Sequence, residues 1–158
     1  MIEGFKNMNQ EAITRAAEVI NSKADFIGEG MDGYVVLSLI DENGYPTGST
    51  VTISKAEGIK WMSFFGDTDG NKVKRITENN KASVCIASNE YNITLVGTIE
   101  MITDPAIKKE HWQEVFASAY NAQPDNPQYR ILKFNTTSYN LFFSEGDLEA
   151  KGTILTNL

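Results

Sequence analysis

Short β-type runs separated by tight turns constrain this chain more than any other feature. Tyr34–Ile40 reads Y-V-V-L-S-L-I, rich in residues that suit a pleated, half-buried surface. Asp41-Glu42-Asn43-Gly44 follows, and Asn-Gly readily supplies the positive φ of a hairpin turn. Tyr45-Pro46 leads into a second run, Ser49–Lys55, where Pro46 is tolerable only at the start or edge. Glu57-Gly58 turns the chain into a third run, Ile59–Phe65. Ala82–Ser88 and Tyr91–Ile102 flank Asn89-Glu90, another hairpin signal, and Gly97 within the longer run predicts a bulge or bend. Tyr129–Phe134 and Tyr139–Phe143 are two further strand candidates, and the tail from Ser144 to Leu158 is ambiguous, with partly extended character. Six or seven strands on so short a chain favour closure, which removes exposed edges. The expected class is mainly β, a small barrel with flanking helices.

Three helices are expected at the margins. Asn9–Ser22 carries Ile13, Ala16, Ala17 and Ile20 at the spacing of one apolar stripe, with Asn9 as N-cap and Glu11 in the first turn. Lys72–Ile76 is a short basic helix. Asp104-Pro105 opens a third, a cap followed by proline at the first helical position. There Ile107, His111, Val115 and Ala119 share a face, with Trp112, Phe116 and Tyr120 beside it. No repeat or linker stands out, so residues 1–158 read as one domain, with the N-terminal helix at 9–22 and the barrel at 34–143.

Charge and cysteine content exclude several roles. A formal net charge of −7 argues against a general nucleic-acid binder and against docking on anionic membranes. The N-terminus has no apolar core of signal-peptide length, and no later run is long enough to span a bilayer. A single cysteine, Cys85, cannot form an internal disulfide, so a cytoplasmic location is expected. Asn92-Ile93-Thr94 and Asn135-Thr136-Thr137 match the glycosylation pattern, which without a secretory signal reads as coincidence.

The usual catalytic constellations are missing. The one histidine, His111, reads as a packing residue, and no Cys–His pair has metal-ligand spacing, so no metal site is expected. Ser38, Ser49, Ser54 and Ser63 have no candidate base nearby in sequence; a hydrolase would need His111 to serve a serine across the fold. Cys85, between Val84 and Ile86, reads as a core thiol. Difficult chemistry would therefore have to come from a bound cofactor. Residues 59–87 offer a place for one. The aromatic run ending at Phe65 stops at Gly66, a polar loop runs to Asn71, and Lys72 starts a helix. That order can hold a phosphate, because free N–H groups and the helix dipole both favour an anion. Such loops also merely turn a chain, and the pattern alone leaves both readings open.

Three segments in series carry a resemblance: D-E-N-G-Y-P-T-G-S-T-V-T at 41–52, F-F-G-D-T-D-G-N-K-V-K-R-I-T-E-N-N-K-A-S-V-C-I at 64–86, and Y-N-I-T-L-V-G-T-I-E-M-I-T-D-P at 91–105. Together they resemble the pyridoxamine 5′-phosphate oxidase-related FMN-binding split barrels, in the branch named general stress proteins. The resemblance runs from about Tyr34 to Phe143. It implies a six-stranded split barrel forming a two-fold homodimer, with FMN in each of two clefts between protomers. It further implies that Ser49, Thr50, Val51 and Thr52 lie along the flavin ring and that Phe65 and Gly66 contact the cofactor. Asn71 and Lys72 would hold the phosphate, and Asn92 would reach the flavin of the other protomer. An FMN-dependent oxidoreductase passing electrons between a reduced nicotinamide, NAD(P)H, and a small acceptor is the activity so implied.

The chain also departs from that pattern. The family often has arginine where Ser49 stands, arginine or serine where Asn71 stands, and threonine where Gly66 stands. One clear phosphate cation remains, Lys72. A charge-assisted contact contributes roughly 1.5–3 kcal/mol against about 1 for a neutral one, so weakened FMN binding is expected. The final G-T-I-L-T-N-L lacks the arginine-bearing motif of the true vitamin oxidases, which makes that activity improbable. The alternative is a non-enzymatic, stress-associated dimer that has lost or changed its cofactor; haem or a deazaflavin in the cleft is a third reading, with the lone histidine against haem.

Overall fold

The structure, a computed structural model, describes residues 2–25, 33–120, 123 and 125–154. In chain order the elements are α1 (Ile2–Asp25), β1 (Tyr34–Ile40), β2 (Pro46–Glu57), β3 (Trp61–Asp67), α2 (Asn71–Glu78), β4 (Lys81–Ala87), β5 (Tyr91–Ile102), α3 (Pro105–Glu110), α4 (Val115–Tyr120), β6 (Tyr129–Phe143) and β7 (Leu148–Thr153). The strands follow the order β3-β2-β1-β4-β5-β6-β7, and β3 also pairs with β6. That last pairing, from Trp61 opposite Asn135 to Asp67 opposite Tyr129, closes six antiparallel strands into a barrel. β7 stands outside it, on the distal half of β6.

Strand alternation fills the barrel. Val35, Leu37 and Leu39 of β1, Val84 and Ile86 of β4, and Ile93 and Leu95 of β5 are buried together with Phe64, Leu132 and Phe134. Burying side chains of this size contributes roughly 1.5–3 kcal/mol each, so the interior and not the turns fixes strand register. α1 packs on β2, β6 and β7 through Ala12, Ala16 and Ile20, all fully buried. It starts at Ile2, which places Asn9 inside the helix and not at its cap. The small side chains permit close approach. Ala17 sits under the turn at Gly58, where an added Cβ would be 3.0 Å from the Ala17 Cβ.

Two other elements differ from expectation. β6 is one strand of 15 residues and not two, because polar Asn135-Thr136-Thr137 forms a bulge and not a turn. Val96 pairs with Ser138 and Gly97 with Thr136, leaving Thr137 as the extra residue. Its hydroxyl donates to the Val96 carbonyl at 3.0 Å. Gly97 is required there, since a Cβ would lie 2.0 Å from the Asn135 carbonyl oxygen. The helix after Asp104 is also interrupted. Asp104 caps α3 as anticipated, accepting from the N–H groups of Ala106 and Ile107. The chain then leaves helical geometry around His111, and the buried face carries Lys108 and Phe116 while Ile107 is exposed.

Candidate functional site

The barrel opens where β2 changes partners. Its first half, Pro46–Thr52, pairs with β1, and its second, Ile53–Glu57, with β3. Ser54 is a bulge between the rungs Ile53–Phe64 and Lys55–Ser63. Bulges bend a strand, and beyond Phe64 β3 runs on to Asp67 against β6, so the two strands fork. The β3-side edge of β2 from Pro46 to Thr52 therefore has no ladder partner among the described residues. Alternation splits the expected ring contacts between two faces. Ser49 and Val51, opposite Leu37 and Val35, point to the barrel side; Thr50 and Thr52, opposite Val36 and Tyr34, point outward. The edge thus offers backbone donors and acceptors with hydroxyls on either side.

α2 lies across the fork. It buries Val73 and Ile76 and packs on β1, β3 and β5. Arg75 ties it to β2 by donating to the Thr47 hydroxyl at 3.0 Å. The start of α2 is uncapped: Gly70 provides no side-chain hydrogen bond, and the first turn holds no acidic residue. Its orphan N–H groups and the positive end of the dipole are left for solvent or an anion. Lys72 is half-buried and its side chain makes no hydrogen bond or ion pair with the described residues. Asp67 and Asp69 precede the helix and oppose an anion, although one Asp67 oxygen is occupied by the Asp69 N–H at 3.0 Å.

Phe65 and Gly66 follow the last β2–β3 rung and face opposite sides of β3. Phe65 stacks on Tyr129 with centroids 5.1 Å apart and also meets Phe116, within an aromatic group that includes Trp112. Gly66 is buried, and a Cβ there would come within 2.9 Å of Leu132. Asn92 lies elsewhere. The residues Thr50, Val36, Cys85, Thr94, Asn140 and Lys151 form one cross-strand row. Thr50 and Thr94 are three strand spacings apart, about 14 Å. Asn92 is exposed on β5, two residues from Thr94, whose hydroxyl donates to its side-chain oxygen at 3.2 Å. Ser49–Thr52 lie on the bare edge of β2, Phe65 and Gly66 on β3 just past its last rung with β2, and Asn71 and Lys72 at the start of α2, whereas Asn92 lies on β5 of the outer face.

That outer face of the sheet is unusual. Tyr34, Val36, Val96 and Phe142 are exposed on it, among uncharged Ser38, Ser83, Thr94 and Asn140. Cys85 belongs to this face and is half-buried; it alternates with fully inward Val84 and Ile86 and is no core thiol.

A polar cluster under α3 was not evident in the sequence. His111 Nδ1 lies 2.8 Å from Ser63 Oγ, both buried, across 48 residues of chain. Burial, then Lys55 and Lys133, hold the His111 pKa below its usual value, against Glu110. Among the described residues no acid bonds the ring, and Ser63 is fully buried, so the pair clamps α3 and does not present a nucleophile. Gln113 donates to the Ser54 carbonyl at 2.9 Å, and Lys55 to that of Glu110, in the same clamp. Lys108, 2% exposed, donates to the Asn126 carbonyl at 2.9 Å and lies 4.3 Å from the Tyr129 ring centroid. Its pKa is lowered by burial and then by Arg130. Among the described residues no group of His, Cys, Asp and Glu could hold a metal ion, and no helix is long and apolar enough to cross a membrane.

Residues 34–151 match the family described as "Pyridoxamine 5′-phosphate oxidase like". No curated protein matches. Among solved structures, the chain is similar to a Clostridium acetobutylicum protein related to general stress protein 26, at 24% identity and a TM-score of 0.68 over 87% of this chain and 96% of that one. General stress protein 26 of Bacillus anthracis aligns at 17% identity and a TM-score of 0.65, covering 91% and 97%. A pyridoxamine 5′-phosphate oxidase-related, FMN binding protein of Nostoc punctiforme aligns at 17% identity and a TM-score of 0.61, covering 89% and 86%. At these identities the structures establish the fold alone.

Proposed function

The chain belongs to the pyridoxamine 5′-phosphate oxidase-like family, and we propose that it binds FMN at the fork between β2 and β3, as a two-fold homodimer. One observation carries the reading. The edge Pro46–Thr52 is unpaired, α2 is joined to it through the Arg75–Thr47 bond, and the start of α2 is uncapped, with the Lys72 ammonium unpartnered among the described residues. These suit the two ends of a flavin mononucleotide: hydrogen-bonding edge groups for a planar ring, and N–H groups with a cation for a phosphate. FMN when bound supplies the redox chemistry, moving electrons from a reduced nicotinamide to a small acceptor. The chain's own part is to bind and orient. Ser49, Thr50 and Thr52 offer hydroxyls beside the β2 backbone, Phe65 and Gly66 contact the cofactor, and Asn71 and Lys72 hold the phosphate.

The exposed apolar residues of the outer face, which also carries Lys81, Glu149 and Lys151, support the dimer. Exposing Tyr34, Val36, Val96 and Phe142 on one sheet face costs free energy in water, and a second copy would cover them while carrying Asn92 to the neighbouring site. The FMN binding named for the Nostoc relative agrees with this reading. A second reading, a dimer without cofactor, is favoured by neutral Ser49 and Asn71 and by Asp67 and Asp69 at the loop. The absorption spectrum of the purified protein separates them: a flavin band, or one that appears on adding FMN, supports the first. A spectrum that stays featureless with added FMN supports the second.

A further inference from the structure

Lys72 is not the only cation on its side of α2. Arg75 follows it by three residues, so the two side chains are neighbours on the helix surface while Val73 and Ile76 face inward. The guanidinium lies over β2: one nitrogen donates to the Thr47 hydroxyl at 3.0 Å, and Nε lies 3.8 Å from a Glu42 carboxylate oxygen. Thr47 and Ser49 share one face of β2 and are about 7 Å apart. The Arg75 head therefore lies on the face of β2 that presents Ser49, beside the edge where the fork opens. It is three-quarters buried, with 27% of the side chain exposed, while Glu42 is 68% exposed. A 3.8 Å separation is too long for a hydrogen bond, so the pair is a weak Coulombic contact. Five N–H donors on a planar fork suit a phosphate, and the bond to Thr47 uses one group of them.

We propose that Arg75 is a second phosphate-holding cation of this site, held in reserve by Thr47 and Glu42, and that it selects phosphorylated over unphosphorylated flavin. The proposal rests on the flavin reading above. It resolves a deficit in that reading, because Lys72 alone would face a phosphate dianion with Asp67 and Asp69 nearby. Glu42 competes with the phosphate for the guanidinium. Removing the Glu42 charge should accordingly tighten binding of FMN and leave riboflavin alone.

The test compares FMN and riboflavin titrations, followed by quenching of flavin fluorescence, on the full chain. Wild type should prefer FMN. Arg75→Gln should lose about tenfold in FMN affinity with riboflavin unchanged, the value of one charge-assisted contact. Glu42→Gln should gain two- to fivefold for FMN only, about the scale of a surface ion pair. Equal losses for both flavins in Arg75→Gln would mean that Arg75 merely holds α2 on β2, and would overturn the proposal. So would an unchanged preference. A wild-type protein that binds neither flavin would instead overturn the flavin reading itself.

Discussion

Ile53 of β2 pairs with Phe64 of β3, and beyond that rung the two strands part. Everything proposed for this protein depends on that parting. Ser54 bulges on one side of the rung, Gly66 and the α2 loop follow on the other, and the Pro46–Thr52 edge is left bare.

The glycines flanking this arrangement should differ in cost. At Gly66 an added Cβ meets the Cγ and a methyl of buried Leu132 at 2.9 Å, a side chain that can shift by repacking, so Gly66→Thr should destabilise by about 1–3 kcal/mol. At Gly97 the obstacle is the backbone oxygen of Asn135, which cannot yield without breaking the β5–β6 bulge. Gly97→Ala should cost about 3 kcal/mol or more. Urea unfolding of both variants checks the order, and a milder loss at 97 than at 66 would refute it.

The clamp at His111 predicts a pH dependence. Its pKa is lowered on folding from the usual 6.5, first by burial and then by Lys55 and Lys133. The unfolded chain then takes up a proton before the folded one does. Stability is therefore level above about pH 6.5 and falls as the pH drops below it. His111→Gln should flatten that segment of the urea-midpoint profile. A wild-type profile without a decline there would contradict the burial of a neutral ring.

The outer sheet face predicts an assembly effect. Val36→Glu places a charge on the outer face, two residues from exposed Tyr34, without touching the barrel interior. Sedimentation should show wild type as a dimer and the variant shifted to monomer, with a folded circular dichroism spectrum. A dimer that survives Val36→Glu and Val96→Glu together would place the interface elsewhere.

The strands were largely legible because alternation and turn chemistry are local. β1 and β5 have the bounds their residue patterns predict, Tyr34–Ile40 and Tyr91–Ile102. β6 was not legible as one strand, since Asn135-Thr136-Thr137 looks like a turn and only its partner Gly97 makes it a bulge. The buried face of α3 departs from its residue pattern for a related reason. A lysine is an unlikely residue to bury, yet Lys108 finds two carbonyls and the Tyr129 ring, and this turns Ile107 outward. Within the candidate site, the helix start and Lys72 follow from sequence order, but no spacing rule reports the fork. The bonds from Arg75 to Thr47 and from His111 to Ser63 span 28 and 48 residues, and only the closed barrel brings those ends together.

FMN titration of wild type beside Lys72→Ala tests the central claim most directly. Lys72 has no partner among the described residues, so its removal should leave folding intact and act on the phosphate alone. Wild type should saturate in the micromolar range, and Lys72→Ala should bind about tenfold more weakly or worse, as expected for one charge-assisted contact. Wild type that fails to bind micromolar FMN, or a Lys72→Ala variant that binds it equally well, would contradict the account.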